Sequence, residues 1–325
     1  MHLTRFLAIV ITGLTALIAA LPLTGRAQDY PNKPIRMVTI YSENANSVRE
    51  RLLSVKLGEQ LGVPIIFEAK PGGSGVIAMR DVYRAQPMGY SLLLTGNNFI
   101  GNTLAFKDPG YHIDDYTPVG VMGQSPYAMV INSNTVPARS VAEFVTWAKA
   151  NPGKVNYGSL GPASGSTISA ERFKQITGIG MTGVAYKGGD QMALGMLAGD
   201  IHVSWLTLNS ARTRMQNKQI IGLATVGDER SAVMPTMPTF KELGYPDMDT
   251  NTWYAVLAPS AIPAPMLSKL RDAYAKVTST GEWKALMLQN QLDPFKGTME
   301  QFTAGMKKEA AKLDADYKRL NLPQE

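Results

Sequence analysis

The sequence predicts an α/β protein made of two lobes, each built around its own sheet and joined by a two-strand hinge. Three observations carry this. Apolar strand-like runs alternate with helical patterns along the 325-residue chain, the rhythm of βαβ units. The rhythm breaks at 119-VGVMGQSPYAMVIN-132, where two β-like runs are split by a Pro-containing stretch before a second α/β series begins. A last strand-like run, 252-TWYAVLAP-259, follows the Pro-rich 235-PTMPTFKELGYP-246 and precedes only helical patterns. The chain is therefore expected to cross between lobes near 124–129 and again near 248–254. Residues 28–125 with 252–325 then form one discontinuous lobe, and residues 126–251 the other. Ligands bind in clefts between lobes hinged in this way.

Taken in order, 35-IRMVTI-40 reads as the first strand and 48-VRERLLSVKLGEQL-61 as the first helix. The strand 63-VPIIFEA-69, the loop 70-KPGGSG-75 and a helix near 75–86 follow. The strand 91-SLLLTG-96 leads into 97-NNFIGN-102. In the second series, 140-SVAE-143 has the spacing of a capping box at the start of a helix over 140–150. Strand 155-VNYGS-159, loop 160-LGPASGST-167 and helix 167–177 come next. Strand 181-MTGVAY-186, loop 187-KGGD-190 and helix 190–198 repeat the unit. Strand 201-IHVSWLTL-208, loop 209-NSA-211 and strand 219-QIIGLATVG-227 close the series. Helices near 263–280, 281–290 and 299–319 are expected to return to the first lobe.

Residues 1–27 read as a cleaved secretory leader. Arg5 precedes the apolar run 6-FLAIVITGLTALIAALPL-23, and 24-TGRA-27 puts small Gly25 and Ala27 where a signal peptidase reads. An uncleaved membrane anchor is the alternative, since the run approaches spanning length. The small-residue site and the polar QDYPNKP that follows favour cleavage after Ala27 and a periplasmic protein. Without Arg5 and Arg26 the chain keeps 30 basic and 26 acidic residues, a net charge of +4. No run of Lys or Arg points to nucleic acid. A hydrophobic content of 45% excludes a disordered chain.

The chain has no cysteine, which excludes thiol catalysis, iron–sulfur clusters and Cys-based zinc sites. Only His112 and His202 remain after the leader, too few and too far apart for a metal site or a His relay. No G-x-S-x-G elbow and no H-E-x-x-H pair occurs. No catalytic set and no cofactor motif can be singled out, so binding fits better than catalysis.

Four loops lie between a predicted strand and the helix after it, at 41–47, 70–74, 160–167 and 187–190. Ligands of open α/β sheets sit at such places, where helix N-termini offer unpaired N–H groups and a positive dipole end. In 41-YSENANS-47, Ser42, Asn44 and Asn46 are candidate contacts, with turn formation the plainer role of the asparagines. Ser47 either touches ligand or caps the helix in the spacing 47-SVRE-50. Arg49 either clamps a carboxylate or lies on a solvated face. In 160-LGPASGST-167, small residues let a ligand approach the backbone, and Ser164, Ser166 and Thr167 offer hydroxyls. The plain alternative makes Thr167 or Ser166 an N-cap. Ser74 reads as the cap of a tight βα turn. Tyr186 is placed to flank an organic ligand, and Lys187 to attract an anion or to be solvated. Trp205, Thr207 and Asn209 close a further strand.

Seven segments, in order and after a leader, carry a resemblance over nearly the whole mature chain. They are 30-YPNKPIRMV-38, 69-AKPGGSGVIA-78, 89-GYSLLL-94, 152-PGKVNYGS-159, 186-YKGG-189, 236-TMPTFKELGYP-246 and 253-WYAVLAP-259. The chain resembles the periplasmic substrate-binding proteins of tripartite tricarboxylate transporters, the Bug family. The resemblance implies a two-lobed periplasmic-binding-protein (Venus-flytrap, type II-like) fold that closes on a small carboxylate and docks to membrane permease subunits; the protein is expected to be a monomer without cofactor. Carried over, the ligand loops are 41–47, 72–75, 95–98, 159–167 and 186–188, which adds Gly75, Thr95, Asn97, Asn98 and Ser159 to the candidates.

Two departures stand out. The family's Pro-Phe-x-x-Gly-Gly-x-x-Asp pattern in the first loop is replaced by 41-YSENANS-47, apparently one residue shorter. An Asp-Asn pair common in the family is replaced by Leu206 and Thr207, which disfavours ligands carrying an amine. Polar neutral loops near Trp205 and Tyr186 would accept a flat dicarboxylate such as terephthalate. Two other classes of function remain in view. A sensor module for a membrane receptor could share the same cleft, and an exported hydrolase would need a nucleophile–base pair that the sequence does not display.

Overall fold

The computed structural model describes residues 30–41, 48–162, 164–248, 252–320, 322 and 324. The first sheet collects β1 (Ile35–Thr39), β2 (Ile65–Ala69), β3 (Ser91–Gly96), β4 (Tyr116–Gln124) and β10 (Trp253–Pro259), in the order β2-β1-β3-β10-β4. The second collects β5 (Tyr127–Ile131), β6 (Asn156–Ser159), β7 (Thr182–Ala185), β8 (Val203–Thr207) and β9 (Ile221–Thr225), in the order β7-β6-β8-β5-β9. Burial follows position. Every residue of central β3 and β10 is buried, as expected of strands covered on both faces, whereas edge strand β7 is largely exposed.

Both sheets are mixed rather than purely parallel. In the first, β10 runs antiparallel to β3 and β4, while β1, β2 and β3 pair in parallel. In the second, β5 runs antiparallel to β8 and β9, while β6 pairs in parallel with β7 and β8. The reversed strand of each sheet is the one arriving from the other sheet. The chain passes from β4 to β5 through Ser125 and Pro126, and enters β10 at Trp253. The two passages are tied together, since Ser125 N donates to Thr252 O at 2.8 Å.

On the first sheet, α1 (Val48–Leu61) and α8 (Ala264–Thr278) cover one face, with Leu53, Leu57, Leu270 and Tyr274 in its core. The other face packs on α2 (Val76–Tyr83), α3 (Asn98–Ala105) and α10 (Met299–Leu320) through Met79, Phe99, Phe302 and Leu313. The short α9 (Gly281–Gln289) adds Trp283 to the first of these cores. On the second sheet, α4 (Val141–Ala150) and α5 (Gly165–Thr177) bury Phe144 and Phe173 on one face. On the other, α6 (Gly189–Ala198) and α7 (Leu208–Gln216) bury Met192, Met196 and Ala211. Among the described residues no helix is long and apolar enough to cross a membrane.

Three local expectations change. Helix α7 occupies the place where 209-NSA-211 reads as a loop. Its segment carries Arg212, Arg214 and Gln216 and has too few apolar residues to show a period. Ser164, rather than Ser166 or Thr167, caps α5. Ser74 caps nothing, because left-handed Gly75 holds the N-cap position of α2.

Candidate ligand-binding site

The pairing directions bring the carboxyl ends of the parallel strands of both sheets, and the starts of β5 and β10, to one seam. That is where α/β sheets bind ligands.

The first-sheet side of the seam is shaped by backbone. Ser74 has φ 53° and Gly75 φ 99°, both left-handed. A methyl group at Gly75 would lie 2.9 Å from Ile40 Cβ, so glycine is required there for space as well as for conformation. Asn102 Nδ2 donates to Ser74 O at 3.0 Å and fixes the loop from beneath. Its outer end is held by charge. Lys70 pairs with Asp81 at 2.8 Å, and Arg36 binds both Glu68 at 2.9 Å and Asp81 at 2.8 Å. Beside this loop, Thr95 is wholly buried, and Asn97 occupies the N-cap position of α3 without a side-chain capping bond. Asn98 is the first residue of that helix and is half-buried.

Arg49 lies in the first turn of α1 and is only 6% exposed, so the solvated-face alternative falls. Its Nε donates to Glu50 Oε1 at 2.7 Å, and its guanidinium sits 4.7 Å from the centre of the Tyr254 ring. Burial alone would lower its pKa, but Tyr254 and Glu50 more than offset this and keep the guanidinium charged. Tyr254 pairs with Gly96 across β10 and β3, which places Arg49 close to the seam. Ser42, Asn44, Asn46 and Ser47 lie outside the described residues, as does the proposed cap at Ser47.

On the second-sheet side, hydroxyls knit one loop. Ser164 Oγ accepts from Thr167 N at 3.3 Å and donates to Gly161 O at 2.9 Å. Thr167 Oγ1 is 2.8 Å from Ser159 Oγ and 2.9 Å from Ser164 Oγ. Ser159 Oγ also accepts from Gly161 N at 3.2 Å. Ser166 Oγ donates to Gly158 O at 3.4 Å. These bonds aim the first turn of α5, with its N–H groups and positive dipole end, into the seam.

The two sides nearly touch here. A methyl at Gly161 would lie 4.0 Å from Ser74 Oγ. One at Gly165 would lie 2.6 Å from Tyr127 Cε2 and 3.2 Å from Asn97 Nδ2. Tyr127 begins β5, and burial pushes its hydroxyl pKa up to about 12.

Thr207 ends β8 opposite Tyr127, and Tyr186 N donates to Ser159 O at 2.8 Å, so both stand at the edge of the second side. Tyr186 lays its ring against Gly195 of α6, and Lys187 is exposed. Thr207 stands at the N-cap position of α7 with its hydroxyl 3.1 Å from Ser210 Oγ. The side chain of Asn209 lies outside the described residues. Trp205 is 0% exposed and packs on Phe173 at 5.4 Å, so it cannot flank a ligand. Leu206 is buried in the core beneath α6 and α7. Sequence reasoning missed Asn102, Tyr127 and the close approach at Gly165. The only signal for Tyr127 is Pro126 before it, and Asn102 lies inside helix α3, whose start overlaps the 95–98 ligand loop.

The family model described as tripartite tricarboxylate transporter family receptor (TctC) matches residues 50–322. This chain belongs to that receptor family. It is 27% identical over 263 residues to the protein BugT of Bordetella pertussis, covering 80% of each chain. Among solved structures, an R. palustris protein determined with adipate superposes with a TM-score of 0.82 at 24% identity, covering 91% of this chain and 100% of that one. The periplasmic binding protein BugD gives 0.79 at 22% identity, covering 91% and 100%. The fold is therefore the two-lobed periplasmic-binding-protein fold, with one sheet in each lobe.

Proposed function

We propose that the chain is a periplasmic receptor that captures a small dicarboxylate between its lobes and delivers it to the permease subunits of a tripartite tricarboxylate-type transporter. The lobes are residues 28–125 with 252–325, and residues 126–251. The leader over 1–27 exports the protein. The observation that carries the reading is the convergence on one seam of a buried, charged Arg49 from one side and the N-terminal turn of α5 from the other. A cation beside the seam and a helix N-terminus opening on it suit a ligand with a carboxylate at each end. Asn97, Asn98, Ser74 and the 41–47 loop complete the first side, and Ser159, Ser164, Ser166 and Thr167 shape the second.

Burial of Trp205 takes away one of the two rings that would flank a flat aromatic ligand such as terephthalate. A flexible aliphatic dicarboxylate fits the remaining polar groups better. With Leu206 in the core and Thr207 at a helix cap, neither supplies an acid to hold an ammonium group, so amino acids are disfavoured.

A thermal-shift panel of mono-, di- and tricarboxylates tests this, with adipate, malate, terephthalate and amino acids included. A compound at about 100 times its dissociation constant adds about 2.7 kcal/mol. An aliphatic dicarboxylate is expected to give the largest shift. The absence of any carboxylate response contradicts the proposal, and a response to amino acids alone contradicts the reading of Leu206 and Thr207.

A further inference from the structure

We infer that the last turns of α10 position the ligand loop of the second sheet, so that Asp316 and Tyr317 govern ligand retention without touching the ligand; the inference rests on the seam being the ligand site. Helix α10 belongs to the first sheet's core, where Phe302, Met306, Leu313 and Tyr317 are buried. Its end nevertheless reaches across to α5. Asp316 Oδ2 accepts from Arg172 Nε at 2.9 Å and also from Arg172 Nη2, while its Oδ1 takes Arg319 Nη2 at 2.8 Å. The side chains of Arg172 and Asp316 are each only 4% exposed. One residue on, the Tyr317 hydroxyl donates to Pro162 O at 2.8 Å. Pro162 lies in the loop before α5, next to Gly161, which approaches Ser74 of the first side. Ile168 of α5 is buried in the same core as Leu313 and Tyr317.

Helix α10 thus grips α5 along its length and the loop before it at Pro162. A desolvated carboxylate parted from its guanidinium is strongly unfavourable, so the pair favours the docked arrangement over any partly separated one. Docking of α10 and presentation of the 160–164 loop are therefore one event. A ligand that needs this loop gains affinity from bonds that never reach it.

The chain has no cysteine, so spin labels can be placed on Glu59→Cys of α1 and Lys149→Cys of α4 alone. Ligand-free distance distributions by pulsed electron resonance, and adipate dissociation rates by stopped flow, are compared for the parent and for Tyr317→Phe and Asp316→Asn. Both variants are expected to shift the distances longer, and Tyr317→Phe to release adipate about fivefold faster, the effect of one hydrogen bond. Tyr317→Phe removes one hydroxyl and carries the test where Asp316→Asn fails to fold. Distances that superpose on the parent, with adipate still bound by the parent, overturn this inference alone. Distances that lengthen while the parent binds no carboxylate of the panel count against the ligand reading alone.

Discussion

Gly165 is where single atoms decide how close the two halves come. Gly165→Ala adds a methyl 3.2 Å from Asn97 Nδ2 across the seam and 2.6 Å from Tyr127 Cε2 within its own half, at the first position of α5, where alanine is otherwise a good helix residue. We expect a loss of about 1–3 kcal/mol from overpacking, read as a lower melting temperature together with weaker dicarboxylate binding. Unchanged affinity would detach this contact from the site. Ser164→Ala removes an N-cap and two loop bonds, and is expected to cost about 1 kcal/mol in chemical denaturation. The polar, small-residue character of 160–167 was legible in the sequence, and so was its place before a helix. Its internal wiring was not, because four hydroxyls within the nine residues 159–167 can pair in several ways that only the backbone path selects. Arg49 shows the same limit. Its place in the first helical turn was readable, but its burial depends on Tyr254, 205 positions later.

At the scale of elements, the 70–75 loop is held by charged groups that leave a pH signature. Arg36 draws the Glu68 carboxyl below the usual carboxylate range, chiefly through its hydrogen bond and against burial. Burial would raise Asp81, but Lys70 and Arg36 outweigh it and lower it. Carboxyls with lowered folded values stabilise fully above their unfolded values, about 3.9–4.3, and lose that contribution as pH falls through the folded ones. Each side chain in the network is about one-third exposed, so solvent screening keeps the effect modest. Amide exchange at Gly72, Gly73 and Gly75 should accelerate below about pH 4 relative to the core of β3, and Asp81→Asn should show part of that acceleration already at pH 7. A loop whose exchange is indifferent to both would not be held by this network. Strands and amphipathic helices were legible as elements because each buries one face. Helix α7 was not, since its stability comes from packing Leu208 and Ala211 under a mostly polar segment.

For the whole molecule, topology makes the site. Each sheet receives one reversed strand from the other, so both passages fall at the strand ends where helices begin. The break at 119–132 and the late strand at 252–259 made this architecture readable, because a chain that leaves and re-enters a sheet must change its pattern twice. What the sequence did not carry was which side chains face the seam. Trp205 and Tyr186 stand near strand ends in sequence, yet strand alternation turns Trp205 into the core, and Tyr186 leans half-buried against α6. The central claim is that the seam recognises carboxylate charge at both ends of a small ligand. Calorimetric titration of the protein with the best dicarboxylate of the panel and with its dimethyl ester tests this directly. The account predicts one saturable site for the acid and no measurable binding of the ester, with Arg49→Gln weakening the acid at least tenfold (about 1.4 kcal/mol). Equal binding of acid and ester, or an Arg49→Gln variant with unchanged affinity, would contradict it.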